Sequence, residues 1–165
     1  SESGSWSYEV VAAGYKYNFT DLQASLGLPQ LKKMDYMWEC RKNIAKSYSE
    51  AFKDNELIEL HTIKPDRESS WHLYPIRLNL EKLKIDRAQM IEELKNKGMG
   101  VGVHFMPVHQ HIYYKNEFNL EDKNYPVASK IFPRLISLPI YPGMNQDDID
   151  NAINILTETL NKFKR

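Results

Sequence analysis

Gly14-Tyr15-Lys16-Tyr17-Asn18-Phe19-Thr20-Asp21-Leu22-Gln23-Ala24-Ser25-Leu26-Gly27-Leu28-Pro29-Gln30-Leu31-Lys32-Lys33-Met34-Asp35 is the stretch on which the reading of this 165-residue chain turns. Its first five residues have no helical or strand period. They break the short apolar run Tyr8 to Ala13, which reads as a strand or an extended lead-in after a small, polar arm at residues 1–7. Thr20 then opens a helix. Gln23, three residues on, has the capping-box spacing in which each side chain satisfies an orphan amide of the first turn. Leu22 and Leu26 carry the helix forward. Pro29 lacks an N–H and crowds the preceding turn, so it is expected to end or kink this helix and to start the next.

Beyond Pro29, residues Leu31, Met34, Trp38, Ala45, Tyr48 and Phe52 recur at helical spacing between charged residues and predict a helix from Gln30 to Lys53. About 24 residues make a rod about 36 Å long. That length suits either an amphipathic core helix or an element joining two structural units. Strands are expected at Leu57 to His61 and Leu73 to Leu80, with Pro75 placing the second at an edge or a bulge. Asp86 and Gln89 form a second capping box, and Gly98 stops the helix they open. Val101 to Phe105 reads as a short strand, residues 107–118 as a loop rich in histidine and aromatics, and Pro126 to Leu135 as a helix. Ser137 to Gly143 is too rich in proline for a central strand. The last helix is capped by Asn145, with Asp147 and Asp148 at its positive end. Its buried stripe is Ile149, Ile153, Leu156, Leu160 and Phe163. This order predicts an α/β (α+β-like) fold, a small and mostly antiparallel sheet covered by helices on one side.

Composition narrows the function classes. Lys+Arg 22 against Asp+Glu 22 leaves no net charge, which argues against a nucleic-acid or membrane-surface partner. The single cysteine, Cys40, cannot form an internal disulfide, so a cytoplasmic protein is expected. The sequence shows neither a membrane-spanning apolar run nor a signal peptide. The chain begins Ser1-Glu2-Ser3 without an initiator Met, and either trimming or the back part of a longer polypeptide accounts for that.

The histidines cluster as His104, His109 and His111, with His61 and His72 elsewhere. No carboxylate follows until Glu117, and the spacing matches no compact metal site, so no metal is assigned. Histidines and the phenols of Tyr113 and Tyr114 at a strand end suit a polyhydroxylated or phosphorylated ligand. The sequence has no G-x-S-x-G nucleophile turn and no Gly-rich nucleotide cradle. From residue chemistry alone the reading stops at a domain with a polar, aromatic loop.

The Gly14 to Asp35 stretch resembles the start of the C-terminal region in the DegT/DnrJ/StrS family of sugar-nucleotide aminotransferases. Three further matches follow in order. Ser70-Trp71-His72-Leu73-Tyr74 resembles the family's strand entry. Gly100 to His109 resembles its G-x-G-x-H-[FY]-x-P-x-H segment. Ser137 to Met144 resembles its S-L-P-[LI]-[YF]-P-x-[ML] signature. The form GYKYN, with Lys16 and Asn18 where most members read GYNYR, is similar to members that make UDP-4-amino-4-deoxy-L-arabinose and related 4-amino sugars.

The resemblance implies the C-terminal small domain of the aspartate-aminotransferase fold (PLP fold type I). Residues 1–13 would be a lead-in from a large domain and 14–165 the small domain with its long connecting helix. It implies a pyridoxal 5'-phosphate enzyme that moves an amino group from glutamate to a keto group of a nucleotide-linked deoxysugar. The cofactor-bearing lysine of the family lies before a G-E-G-G-like segment absent here, so no catalytic residue is assigned and the chain by itself is expected to be inactive. In a homodimer with shared sites, Asn18 would donate to the cofactor phosphate of the neighbouring subunit, with Lys16 adding charge. His104, Phe105 and His109 would line the sugar-nucleotide pocket, with Tyr17 as a wall. Two other readings stand beside this one, a stand-alone domain that binds a sugar nucleotide or a partner without catalysis, and a metal-dependent sugar enzyme using His104, His109 and His111.

Overall fold

The computed structural model describes residues 12–165, so the polar arm and most of the apolar run Tyr8 to Ala13 lie outside the described residues. The described residues fall into two units, the first ending at Met34 and the second being Asp35–Arg165.

In the first unit a segment without regular secondary structure leads to helix α1, Asp21–Lys32. The capping box forms as expected. Gln23 N–H donates to Thr20 Oγ1 at 3.3 Å, and Thr20 N–H donates to Gln23 Oε1 at 3.1 Å. Of the two outcomes expected at Pro29, an end or a kink, the end does not occur; α1 runs through it to Lys32 and breaks at Lys33. The proline removes one intrahelical donor, and the carbonyl it leaves free belongs to Ser25, an exposed residue, where the loss costs least. The single helix expected over residues 30–53 is therefore two, the second being α2, Met34–Phe52.

The second unit is built on a three-stranded antiparallel sheet in the order β1 (Ile58–Leu60), β2 (Tyr74–Leu78), β3 (Leu135–Leu138). Tyr74, Ile76 and Leu78 alternate with Pro75 and Arg77, so one face of β2 is buried. That face meets Ile44, Ala45, Tyr48 and Phe52 of α2, and Met90 and Leu94 of α3 (Arg87–Asn96). It also meets Ile149, Ala152, Leu156 and Leu160 of α6 (Gln146–Lys162), in one continuous core. Each such aliphatic side chain contributes about 1.5–3 kcal/mol by leaving water. On the opposite face the cross-strand pair Glu59 and Arg77 forms an ion pair that Arg134 joins. The α6 stripe is narrower than the periodicity suggested. Ile149, Leu156 and Leu160 are buried with Ala152 and Thr159, while Ile153 and Phe163 lie at the margin.

Pro75 stands in the middle strand, not at an edge. It faces Ser137 of β3, and Ser137 spends both its backbone groups on Gly102. The Pro75–Ser137 pair is thus non-hydrogen-bonded, and the missing N–H points toward β1, which has already ended at Leu60. The Pro75 carbonyl on that side lies 3.2 Å from His61 Nδ1. The segment expected as a strand over Val101 to Phe105 joins the sheet at Gly102 alone, by a single bridge to Ser137. The loop expected over 107–118 contains a 3-10 turn and a short helix α4, Ile112–Glu117. The helix expected from Pro126 to Leu135 is α5, Pro126–Ile131, followed by a 3-10 turn, because Leu135 already belongs to β3.

The C-terminal residues pair with the segment after β2. Lys84 N–H donates to Phe163 O at 2.8 Å, and Arg165 N–H donates to Lys82 O at 3.0 Å. Glu56 ties this junction, with Lys82 Nζ at 2.5 Å and Lys164 Nζ at 2.7 Å. Hydrogen bonds from Lys164 and then Lys82 push its carboxyl down to about 2. A carboxyl held below its ordinary value of about 4.3 contributes stability that is present above that value and is lost as pH falls through the folded one. Glu56→Gln is therefore expected to lower the urea midpoint at neutral pH, and the gap to the parent protein should close as pH falls from about 4.5 toward 2. Urea titrations of both proteins across that range check it.

Candidate functional site

The bridge at Gly102 brings the 100–109 segment onto β3. Gly102 N–H donates to Ser137 O at 3.1 Å and Ser137 N–H donates to Gly102 O at 2.8 Å. Two residues further on, the His104 ring folds back over Gly102. A Cβ at residue 102 would lie 2.5 Å from His104 Cε1, so the space under the ring exists only because residue 102 is glycine. His104 Nδ1 lies 3.0 Å from Ser137 Oγ, and its edge meets the Phe105 ring with centroids 4.8 Å apart. His104 is half-buried, while Phe105, Met106 and Val108 are exposed. Tyr113 and Tyr114 of α4 are exposed too and pack edge to face. Phe105, Met106 and Val108 thus present exposed apolar side chains beside the half-buried imidazole of His104, suited to a ligand with a flat or apolar part and a few oxygen acceptors.

His109 is placed differently. It is 5% exposed and stacks on Tyr125 with ring centroids 4.5 Å apart. Its Nε2 lies 3.0 Å from Ser129 Oγ and 3.1 Å from Asp122 Oδ1. Gln110 Nε2 donates to the same Asp122 oxygen, and that hydrogen bond is the first cause holding the Asp122 carboxyl below its usual range, with Ser129 and His109 adding to it. His109 thus clasps the 107–110 turn to residues 122–129. Sequence reasoning missed Asp122, Tyr125 and Ser129, since their chemistry depends on a loop closure with no local spacing. Among the described residues, no three His, Cys, Asp or Glu gather to hold a metal, so His104, His109 and His111 do not form such a group.

Tyr15, Lys16, Tyr17, Asn18 and Phe19 lie in the first unit, in the irregular segment before α1, and all are exposed. The Tyr15 and Tyr17 rings lie 5.7 Å apart. Among the described residues neither the Asn18 amide nor the Lys16 ammonium is spent on a side-chain hydrogen bond or an ion pair. An amide N–H and an ammonium two residues apart in sequence are donor types that fit a phosphate.

The profile of the DegT/DnrJ/EryC1/StrS aminotransferase family matches residues 1–157. The chain belongs to this family. It is 44% identical over 162 residues to the uncharacterized protein MJ1066 of Methanocaldococcus jannaschii, covering 98% of this chain and 42% of that protein. It is 40% identical over 159 residues to the spore coat polysaccharide biosynthesis protein SpsC of Bacillus subtilis, covering 96% of this chain and 41% of that one. Among solved structures, the putative sugar aminotransferase Spr1654 of Streptococcus pneumoniae in its PLP form superposes with a TM-score of 0.82 at 34% identity, covering 97% of this chain and 40% of that one. The same protein in its PMP form gives the same TM-score. The chain therefore spans about two fifths of the length of the relatives it matches. The family is dependent on pyridoxal phosphate, and the fold is that of the aspartate aminotransferases, as the sequence resemblance implied. Among the described residues no helix is long and apolar enough to cross a membrane.

The clasp carries a prediction of its own. His109→Ala removes a buried hydrogen-bonded ring and its stack on Tyr125, a loss of about 1–3 kcal/mol. Urea denaturation should report that loss. Hydrogen exchange should accelerate over residues 107–129 while the amides of β2 and β3 keep their protection.

Proposed function

We propose that this chain is the C-terminal portion of a sugar-nucleotide aminotransferase that moves an amino group from glutamate to a keto group of a nucleotide-linked deoxysugar. In this reading residues 14–165 are the small domain, the cofactor-bearing lysine lies outside these residues, and the 165 residues alone are inactive. The observation that carries the proposal is the exposed Phe105 and Met106 beside the His104 imidazole, built on the sheet by the Gly102–Ser137 bridge in a chain of sugar-aminotransferase fold. The kinship with a polysaccharide biosynthesis protein supports a sugar substrate. The nucleotide, the glutamate donor, a cytoplasmic location and a homodimer with shared sites belong to the proposal.

Pyridoxal phosphate, when bound, supplies the electron sink through which an amino group changes carriers. The residues of this chain bind and orient. Asn18 holds a phosphate oxygen through its amide N–H, and Lys16 lowers the cost of the phosphate charge; in the dimer both act on the partner subunit's site. Tyr17 walls the same region. Phe105 offers an apolar face to the sugar ring, and His104 a hydrogen bond to one of its oxygens. His109 acts one layer back, holding the 107–110 turn that follows Phe105 and Met106.

Borohydride reduction of the protein from its native source in the presence of pyridoxal phosphate, followed by peptide mapping, tests the reading. A pyridoxyl adduct on a lysine outside these 165 residues, within a longer chain, is expected. A native chain of this length with no specific adduct would overturn it. In the complete enzyme Asn18→Ala removes one hydrogen bond to a charged group, about 1.5–3 kcal/mol, and should weaken cofactor affinity roughly 10- to 100-fold by absorbance titration.

A further inference from the structure

Ser137 is a hydroxyl in a strand whose neighbours Ile136 and Leu138 are core residues, and it is itself 4% exposed. Its backbone N–H and C=O are both committed to Gly102. Among the described residues its hydroxyl has one partner, His104 Nδ1 at 3.0 Å. A buried hydroxyl has one hydrogen to place and loses heavily if it finds no acceptor. Were Nδ1 protonated, it would donate to Ser137 Oγ, and the serine hydrogen would have no acceptor among the described residues. With Nδ1 unprotonated, the serine hydrogen is satisfied and the imidazole proton sits on Nε2. Nε2 has no partner among the described residues. Since no buried side-chain nitrogen or oxygen there lacks one, Nε2 reaches solvent.

We propose that Ser137 is a positioning residue that fixes His104 as its Nε2–H tautomer, so that the ring presents a hydrogen-bond donor to an acceptor oxygen of the sugar substrate. The last step rests on the pocket assignment of His104 made above. Gly102 is the second part of the device. Its backbone bridge sets the spacing between the 102–104 segment and Ser137, and its missing side chain leaves the room in which the ring lies within reach of the hydroxyl. Leaving the serine hydrogen without an acceptor is worth roughly a factor of 10 in the tautomer ratio, which sets the size of the bias.

The test reads the tautomer directly. The chain is labelled with 15N-histidine, the His104 signals are assigned by their loss in His104→Gln, and long-range proton–nitrogen spectra are recorded at about pH 8.5, above the ordinary histidine titration. A pyridine-type shift at Nδ1 with a pyrrole-type shift at Nε2 is expected. Ser137→Ala should move both shifts toward an average of the two tautomers, and Ser137→Thr, which keeps the hydroxyl, should restore them. Gly102→Ala should produce the same averaging with Ser137 intact, which covers the case in which Ser137→Ala fails to fold. In the complete enzyme Ser137→Ala should raise KM for the sugar nucleotide roughly 10-fold with a smaller change in kcat. A wild-type Nδ1–H or averaged pattern, or a pattern unmoved by both Ser137→Ala and Gly102→Ala, would overturn the proposal. If His104→Ala leaves KM for the sugar nucleotide unchanged while the wild-type tautomer is as expected, the pocket assignment falls and the Ser137–His104 pairing stands.

Discussion

Two backbone hydrogen bonds join Gly102 to Ser137, and the placement of the 100–109 segment on the sheet depends on them. The sheet itself has three strands, so this single bridge replaces a fourth. It leaves the backbone free on either side, which a full strand would not. A pleated strand would send the His104 side chain along a fixed alternation, whereas here the ring turns back over Gly102 and the next residues leave the sheet with their apolar side chains exposed. The site is thus a short departure from regular structure, pinned at one point by regular structure.

Beneath that point the core is unusually rich in hydrogen-bonded aromatics. Tyr48 and Tyr74 are both buried, with ring centroids 5.2 Å apart. Tyr48 donates to Pro139 O at 2.8 Å, and burial raises its phenol above the ordinary value. Tyr74 shares a hydrogen bond of 2.8 Å with Ser49. Arg41 on α2 reaches three carbonyls, those of Trp71, His72 and Ile140. Trp71 itself holds a φ of 52°, which presents its carbonyl to the guanidinium in a conformation that side-chain-bearing residues rarely take. These contacts tie α2, the entry to β2 and the exit from β3 together, so the strand that carries Ser137 is anchored at the end where Pro139 and Ile140 leave it.

What could be read from the residues divides along a physical line. The capping boxes at Thr20 and Asp86 are chemistry between residues three apart, and both form; the cap read at Asn145 forms too, with Asp148 completing a box that the sequence reading had not named. The stop at Gly98, with φ of 84°, is similarly local. Pro29 and Pro75 were harder, because the cost of a missing N–H depends on what would have accepted it. At Pro29 the freed carbonyl belongs to the exposed Ser25, and at Pro75 the absent bond points past the end of β1. The apolar alternation of Val101 to Phe105 could not reveal that only Gly102 finds a partner. At the site, the motifs located the His104 loop and the GYKYN segment but could not separate a surface histidine from a buried one. His104 and His109 have the same side chain, and their difference comes from Ser137 in one case and from Tyr125, Asp122 and Ser129 in the other.

The strands at the two margins of the sheet are short. β1 has three residues and β3 has four, and β3 is already met on its outer side at Gly102. Along β1 the outward-facing Glu59 is bound to two arginines. An open margin is where sheets of separate molecules stack into fibrils, and brevity with charge is a common guard against it. The same economy that leaves the ladder incomplete, and so lets His104 turn away from it, also denies other molecules a template to grow on.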